Sequence, residues 1–182
     1  VDGKGDMLKL LQLTIGGGAT KEALTEAIRW AKRALVIDPE YIGAKTALGF
    51  AQLGTGDWAE GWKNYEASLG SPQRIAYNYG DEPVWRGEPG KTVAIYGEQG
   101  LGDEIMFASC LPDLVALGMK VVVECEPRLQ KVFERSFGIE TRPRIDITDR
   151  ANPDTVKYLT MERPEECFLP IGDLPRLFRK SR

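Results

Sequence analysis

The sequence predicts an α/β protein in which a helical region precedes a parallel α/β region. Apolar residues recur with a helical period over residues 21–69. Residues 92–124 instead have the pattern of a strand, a glycine-rich turn, an amphipathic helix and a second strand. Apolar residues make up 42% of the 182 residues, which is enough for a packed core.

The helical region contains a repeat. Ala27, Ala31, Ala34 and Leu35 recur 34 positions later as Gly61, Tyr65, Ser68 and Leu69. This period, with small residues at fixed places and a proline after the second helix, is the tetratricopeptide signature. Small residues let two antiparallel helices approach closely, and Gly49 lies at the matching place on the first helix of the second copy. The alternative is an ordinary pair of helical hairpins whose small residues happen to align.

These patterns also set the expected domain boundaries. Residues 1–75 are predicted to form the helical repeats, with residues 7–15 as the first helix of an earlier copy. Residues 76–90 are predicted to be an ordered connector, because prolines on both sides of Trp85 favour an extended path and let that side chain pack against a domain. Residues 91–182 are predicted to be the α/β domain, with an irregular, insertion-like segment at 145–166 and a helix beginning near Asp173.

The α/β region starts with a buried strand at 92–96, and a second strand follows at 120–124. Between them we predict a helix over residues 104–117 that ends at Gly118. Its expected apolar face consists of Ile105, Phe107, Ala108, Leu111, Leu114 and Val115. Strand, helix and strand in this order usually cross over right-handedly and give a parallel sheet. Ligands bind such sheets at the carboxyl ends of the strands, where the turn at 97–103 lies.

The turn supplies the candidate ligand-binding residues. Its glycines permit positive φ and close approach of the backbone to a ligand, and the first amides of a helix attract anions. Glu98 and Gln99 are either solvent-facing turn residues or contacts to a sugar. The predicted ligand-binding set is Gly97, Glu98, Gln99, Gly100, Leu101, Gly102 and, at the end of the second strand, Glu124.

A nucleotide-binding regulator is a weaker alternative. The dinucleotide fingerprint requires a third glycine at position 105, which is Ile105, and no Gly-Lys-Ser/Thr of a Walker loop occurs. Asp103 would also repel a phosphate at the start of the helix. In favour of this alternative, Glu124 lies about 20 residues after the turn, where dinucleotide folds place a ribose-binding acid.

Asp103 has two compatible interpretations. As a structural residue it would be the N-cap of the helix, its carboxylate accepting backbone N–H bonds and complementing the helix dipole. As a functional residue it would be a carboxylate at the lip of a cleft, able to accept a proton from an attacking hydroxyl.

Composition excludes several classes of function. The chain has no histidine, which excludes Ser-His-Asp and Cys-His catalysis and histidine-ligated metal centres, and we predict no metal site. With a net charge of −3 and no basic half, we expect no nucleic-acid partner. The apolar stretches are too short to span a membrane. Three unpatterned cysteines (Cys110, Cys125 and Cys167) favour a reducing, cytoplasmic location.

Several motifs together carry a resemblance to known proteins. They are Gly56-Asp57-Trp58-x-x-Gly61-Trp62, Pro83-x-Trp85-x-Gly87, Gly97-Glu98-Gln99-Gly100-Leu101-Gly102-Asp103 and Leu174-Pro175-Arg176-Leu177-Phe178. The chain resembles bacterial and phage tetratricopeptide proteins with a glycosyltransferase-like C-terminal region. The Gly-Leu-Gly-Asp turn is similar to that of the heptosyltransferase family. The resemblance covers most of residues 50–178.

The resemblance implies the GT-B fold, in which two Rossmann-like domains flank the active site, and it implies that Asp103 is the general base. It also implies a nucleotide-sugar donor, a sugar acceptor and no metal. Because the second GT-B domain holds most of the donor site and the chain ends at Arg182, we expect an acceptor-side half that is inactive alone. The alternative is a non-catalytic scaffold whose repeats bind a protein or peptide.

Overall fold

The computed structural model describes residues 20–71, 74–77, 83–144 and 165–181. The chain divides into two compact units, Val1–Arg74 with Arg179–Arg182, and Ile75–Phe178. Three sequence predictions, the helix at 7–15, the proline at 72 and the insertion-like segment up to residue 164, lie outside the described residues.

The described part of the first unit contains three helices, α1 (Lys21–Ile37), α2 (Ile42–Thr55) and α3 (Trp58–Glu66). Thr20 caps α1, since its hydroxyl accepts the N–H of Ala23 at 3.2 Å. Gly56 ends α2 with a φ of 89°, a left-handed conformation that favours glycine. The helical character predicted for residues 21–69 is therefore confirmed over these three segments.

Helices α2 and α3 approach each other closely at two glycines. A Cβ on Gly49 would lie 2.7 Å from the backbone nitrogen of Tyr65 and 3.0 Å from the carbonyl oxygen of Gly61. A Cβ on Gly61 would lie 2.9 Å from the backbone nitrogen of Leu53. Real side chains do not tolerate such separations, so the small residues predicted at these positions are required by helix packing.

The second unit is an α/β layer. Its strands are β1 (Thr92–Tyr96), β2 (Lys120–Cys125), β3 (Glu140–Pro143) and β4 (Cys167–Pro170). Among the residues that the structure describes in this unit, four short helices lie between and after the strands: α4 (Leu101–Phe107), α5 (Leu111–Ala116), α6 (Gln130–Phe137) and α7 (Leu174–Phe178). The predicted strands at 92–96 and 120–124 are confirmed, and the helix predicted near Asp173 begins one residue later.

The strands form a parallel sheet in the order β3-β2-β1-β4. In register, Tyr96 of β1 pairs with Glu124 of β2 on one side and with Pro170 of β4 on the other. The connections therefore run from β1 toward β2 and β3, whereas β4 lies on the opposite side of β1. An α/β fold with helices followed by a parallel sheet is thus confirmed.

The helix predicted as one element over residues 104–117 is two helices joined by a 3₁₀ turn, Ala108–Cys110. Ile105 and Phe107 are two residues apart in α4, so at about 100° per residue they lie on opposite faces of that helix. Phe107, Leu111 and Leu114 are buried as predicted, but Ile105 and Val115 are 52% and 45% exposed. The predicted single apolar face was therefore wrong at those two positions.

Trp85 is buried in the α/β unit, with 1% of its surface exposed. Its backbone N–H donates to the carbonyl of Phe168 in β4, and its indole N–H donates to the carbonyl of Glu88. Its ring lies 6.3 Å from that of Phe178. The packing predicted for this tryptophan is confirmed.

None of the helices in the described ranges combines the length and the apolar character that a membrane crossing requires.

Candidate functional site

The candidate site is the turn that follows β1 at the carboxyl edge of the sheet. The turn is tied to its surroundings by backbone bonds, since Gly97 donates to the carbonyl of Glu124 at 2.8 Å and Glu98 accepts the N–H of Ile75 at 3.2 Å. The turn lies at the carboxyl end of β1, which pairs with β2 on one side and with β4 on the other, so the strand order reverses beside it. Ligands of open α/β sheets bind at such a switch point.

The glycines of the turn have a different role from the one predicted. Gly97, Gly100 and Gly102 do not have positive φ, so the turn does not use the left-handed backbone that glycine permits. Gly97 is required by space instead, because a Cβ there would lie 2.5 Å from Cδ of Glu104. Nothing lies within 4 Å of a Cβ built on Gly102.

Asp103 is partly exposed and lies in the first turn of α4. The N-cap of this helix is Gly100, not Asp103, so the predicted N-cap assignment was wrong by three residues. The Asp103 carboxylate reaches back and accepts the N–H of Gly100 at 3.2 Å. This is the return bond of a capping box, which satisfies an otherwise unpaired amide and places a negative charge at the positive end of the helix.

The side chains of Glu98 and Gln99, in the same turn, are hydrogen-bonded to each other. Glu98 is only 2% exposed, so the interpretation of this residue as solvent-facing was wrong. Its carboxylate accepts the side-chain amide of Gln99 at 3.1 Å and the backbone N–H of Gly172, after β4, at 3.5 Å. Glu98 therefore bridges the segments that follow β1 and β4. Leu101, also in the predicted set, is the half-buried first residue of α4.

Glu124 is buried within β2, with 1% of its surface exposed. It pairs in register with Tyr96 of β1 and with Arg142 of β3. A ribose-binding acid has to reach a ligand in the crevice beyond the strand end. The enclosed carboxylate of Glu124 argues against the predicted ligand contact and against the nucleotide-binding alternative that depended on it.

The structure adds two functional candidates, Glu104 and Arg144. The Glu104 side chain is fully buried, and its Oε1 lies 2.7 Å from Nη1 of Arg144. Its Oε2 accepts the backbone N–H of Glu126 at 2.8 Å. Burial raises the pKa of Glu104 above its usual value, although the Glu126 amide and the Arg144 guanidinium oppose that effect.

The burial of Glu104 was predictable from helical spacing. Glu104 precedes Phe107, Leu111 and Leu114 by three, seven and ten residues, and this spacing places its side chain on the buried side of the helix. Arg144 gave no such signal, because it lies far along the chain and comes close to α4 only through the parallel sheet.

The described residues contain no group of three or more histidine, cysteine, aspartate or glutamate side chains positioned to hold a metal ion. At the sheet edge, the carboxylates of Glu98, Asp103 and Glu104 instead accept the N–H groups described above.

Comparison with known proteins gives one partial similarity. The chain is 39% identical over 102 residues to Protein FlbA of Caulobacter vibrioides, a match that covers 53% of this chain and 16% of that protein. No family model matches the chain. No solved structure matches it either. The chain is therefore similar to a small part of a much longer protein.

Proposed function

We propose that the α/β unit is the acceptor-side, Rossmann-like half of a GT-B glycosyltransferase that uses a nucleotide-sugar donor, with Asp103 as its general base. The observation that carries this proposal is the position of Asp103, partly exposed in the turn after β1 at the carboxyl edge of a parallel sheet. The order β3-β2-β1-β4 supports it, because doubly wound nucleotide-binding folds share that order among their first four strands.

The low exposure of the neighbouring carboxylates favours Asp103 as the general base. Glu98, Glu104 and Glu124 are each at most 2% exposed, so their carboxylates are buried. Asp103 alone of these four is open enough to meet an acceptor hydroxyl. Within the described ranges its carboxylate accepts one hydrogen bond, from the Gly100 amide, and this leaves further lone pairs for a proton.

The reaction proposed for the complete enzyme is a displacement at the anomeric carbon. The acceptor oxygen forms the new C–O bond as the bond to the nucleoside diphosphate breaks, and the leaving group keeps the bonding electrons. The proton of the acceptor hydroxyl passes to the Asp103 carboxylate. A positioned base of this kind contributes about 10² to 10⁴ in rate.

Two substitutions separate the capping role of Asp103 from the proposed base. Asp103→Asn keeps a side-chain oxygen that can accept the Gly100 N–H but removes the base, whereas Asp103→Ala removes both. In the protein encoded by the complete gene, we expect both variants to lower kcat by about 100-fold or more. Asp103→Ala should lose about 1 kcal/mol of unfolding free energy, and Asp103→Asn should lose less, because it keeps the bond to Gly100 and loses only the charge at the helix terminus.

The measurement is release of UDP, ADP or GDP from a panel of the corresponding nucleotide sugars, with monosaccharides as acceptors. Asp38→Asn is the matched control, because Asp38 also accepts a local backbone N–H, that of Glu40 at 3.1 Å, and is exposed. Unchanged turnover in Asp103→Asn would refute the base.

A non-catalytic scaffold is a second candidate, favoured by the close packing of α2 and α3 at Gly49 and Gly61. We propose that these helices are tetratricopeptide-like and bind a protein or peptide partner, because such repeats characteristically present an extended binding surface. If the complete protein released no nucleoside diphosphate from any of the donors, the scaffold would be favoured. Turnover that depends on Asp103 would favour the transferase.

A further inference from the structure

We infer that Arg144 and Glu104 are positioning residues that fix the orientation of the Asp103 carboxylate. The fixed orientation of Asp103 is inferred from the contacts alone. Its effect on the rate of catalysis rests on the function proposed above.

The guanidinium of Arg144 holds the turn after β1 from one side. Its Nη1 donates to the carbonyl oxygens of Gly97 at 3.3 Å and Gln99 at 2.5 Å, on either side of Glu98. The same nitrogen lies 2.7 Å from Oε1 of Glu104. One nitrogen therefore joins two carbonyls of the turn to the helix that follows it.

Glu104 extends this connection to the end of the second strand. Its second carboxylate oxygen accepts the N–H of Glu126, directly after β2. The backbone N–H of Arg144 donates to the carbonyl of Cys125 at 2.7 Å. The ion pair thus links the turn, α4, the end of β2 and the residue after β3.

The decisive feature is the peptide group between Gln99 and Gly100, which is held at both ends. Its carbonyl oxygen accepts from Arg144, and its N–H donates to the Asp103 carboxylate. A peptide group is planar, so rotation of its carbonyl must also turn its N–H. Any change at Arg144 is therefore transmitted through one rigid plane to the oxygen of Asp103 that accepts this bond.

A role in stability alone would not require this arrangement. A buried ion pair often adds little net stability, because removal of two charges from water offsets their attraction. Arginine is suited to the position because its planar, delocalised group presents several donors in a fixed geometry, whereas lysine presents one flexible ammonium. The contacts favour a device that selects one orientation of the turn.

The first test measures the turn directly. Amide hydrogen exchange is compared among the wild type, Arg144→Lys, Arg144→Gln and Glu104→Gln. We expect exchange at Gly100 to accelerate by about tenfold or more, while the amides of Val122 and Val123 in β2 change by less than about twofold. Arg128→Gln is the matched control, because it removes a 75% exposed cation at the same edge that bonds only the Glu126 side chain in the described structure.

Equal acceleration at Gly100 and in β2 would show a general loss of stability and overturn the inference. So would exchange at Gly100 that stays at the wild-type rate in all three variants. Arg144→Lys keeps the positive charge, so it provides a folded variant if Arg144→Gln does not fold.

The second test uses nucleoside diphosphate release by the protein of the complete gene. We expect Arg144→Lys to lower kcat by about tenfold with KM changed by less than about threefold, because a misplaced base slows the chemical step rather than binding. If Asp103→Asn is inactive but Arg144→Lys has wild-type kcat, the positioning inference fails and the proposed function stands. If Asp103→Asn is fully active, the proposed function fails, and the exchange result alone decides the geometric inference.

Discussion

The carboxyl group of Glu104 occupies the space that any side chain on Gly97 would need. A Cβ built on Gly97 would lie 2.5 Å from Cδ and 2.9 Å from Cγ of Glu104, and it would touch Oε1 as well. Glu104 has little room to withdraw, because both of its oxygens are engaged and its side chain is fully buried. The position after β1 therefore requires glycine, because Glu104 of α4 fills the space that a side chain would need.

This contact makes Gly97→Ala destabilising. The added methyl group must displace a carboxylate held by Arg144 and by the Glu126 amide. Overpacking of this kind costs about 1 to 3 kcal/mol. Urea denaturation of the α/β unit measures the effect as a lower free energy of unfolding.

Gly102→Ala is the control for Gly97→Ala. Gly102 lies within α4, and a Cβ there meets nothing within 4 Å. Alanine at such a position should be neutral or stabilising by up to about 1 kcal/mol, through its higher helix propensity. Equal effects of the two substitutions would contradict the packing argument.

Asn64→Ala should destabilise the helical unit. The Asn64 side-chain amide donates to Oε1 of Gln52 at 2.7 Å, and the amide of Gln52 donates to Asp57 at 3.0 Å. Gln52 is only 5% exposed, so loss of Asn64 leaves a buried acceptor without this donor. The expected loss is about 1 kcal/mol, because the higher helix propensity of alanine offsets part of the cost.

Lys63→Ala, one residue away in α3, provides the comparison for Asn64→Ala. Lys63 is 70% exposed and contacts Glu60 at 3.7 Å. Exposed pairs of this kind change unfolding free energy by about 0.5 kcal/mol or less. A thermal or urea denaturation in which Lys63→Ala is the more damaging variant would count against the buried network.

The stability of the protein should depend on the ionisation of Glu104. Its pKa is raised from 4.5 mainly by burial, so the native state binds this proton more tightly than the unfolded chain. The stability that it contributes is complete below the unfolded pKa and is lost as pH rises through the native one. The free energy of unfolding of the wild type relative to Glu104→Gln should therefore decrease as pH rises above 4.5.

Urea denaturation of both proteins at matched ionic strength, from about pH 4 to about pH 7, measures this difference. The glutamine variant lacks the titrating group, so any constant cost of the substitution cancels in the slope. A difference that is independent of pH, or that grows as pH rises, would refute the assignment.

The three cysteines should be inert in the folded protein. All are buried, and burial raises the pKa of Cys125 to about 12 and that of Cys167 to about 11. Thiolates react and thiols do not, so Ellman's reagent at about pH 8 should modify them only as fast as the protein unfolds. Rapid modification before urea is added would contradict their burial.

Local pattern was sufficient to predict the helices of the first unit, the strands β1 and β2 and the class of fold, but it did not identify α6, β3 or β4. The strands at 92–96 and 120–124 are short apolar runs, and the helices of the first unit keep a regular period, so each follows from residues within one segment. Close packing at Gly61 was also predictable, because it repeats the small residue Ala27 at the 34-residue period, and Gly49 lies at the matching place on the preceding helix. The break in the helix at Ala108–Cys110 was missed, since nothing in the apolar period marks a 3₁₀ turn.

The candidate site was predicted in position but not in its internal arrangement. The turn at 97–103 follows from glycine content and from its place after a strand. The N-cap was assigned to Asp103 because aspartate is common there, but Gly100 holds that position and Asp103 bonds back to it. The burial of Glu98 and Glu124 depends on neighbours from β4 and β3, which no local pattern contains.

The sequence by itself determined the helical region, the first strand-turn-helix-strand segment with its glycine-rich turn, and the absence of histidine chemistry, because these depend on residue type and short-range spacing. Only the tertiary structure decided which carboxylates are enclosed and which one meets solvent, and only it brought Arg144 to the turn. The physical reason is that burial and ion pairing depend on contacts between segments that are far apart in the chain. Those segments become neighbours only when the parallel sheet forms.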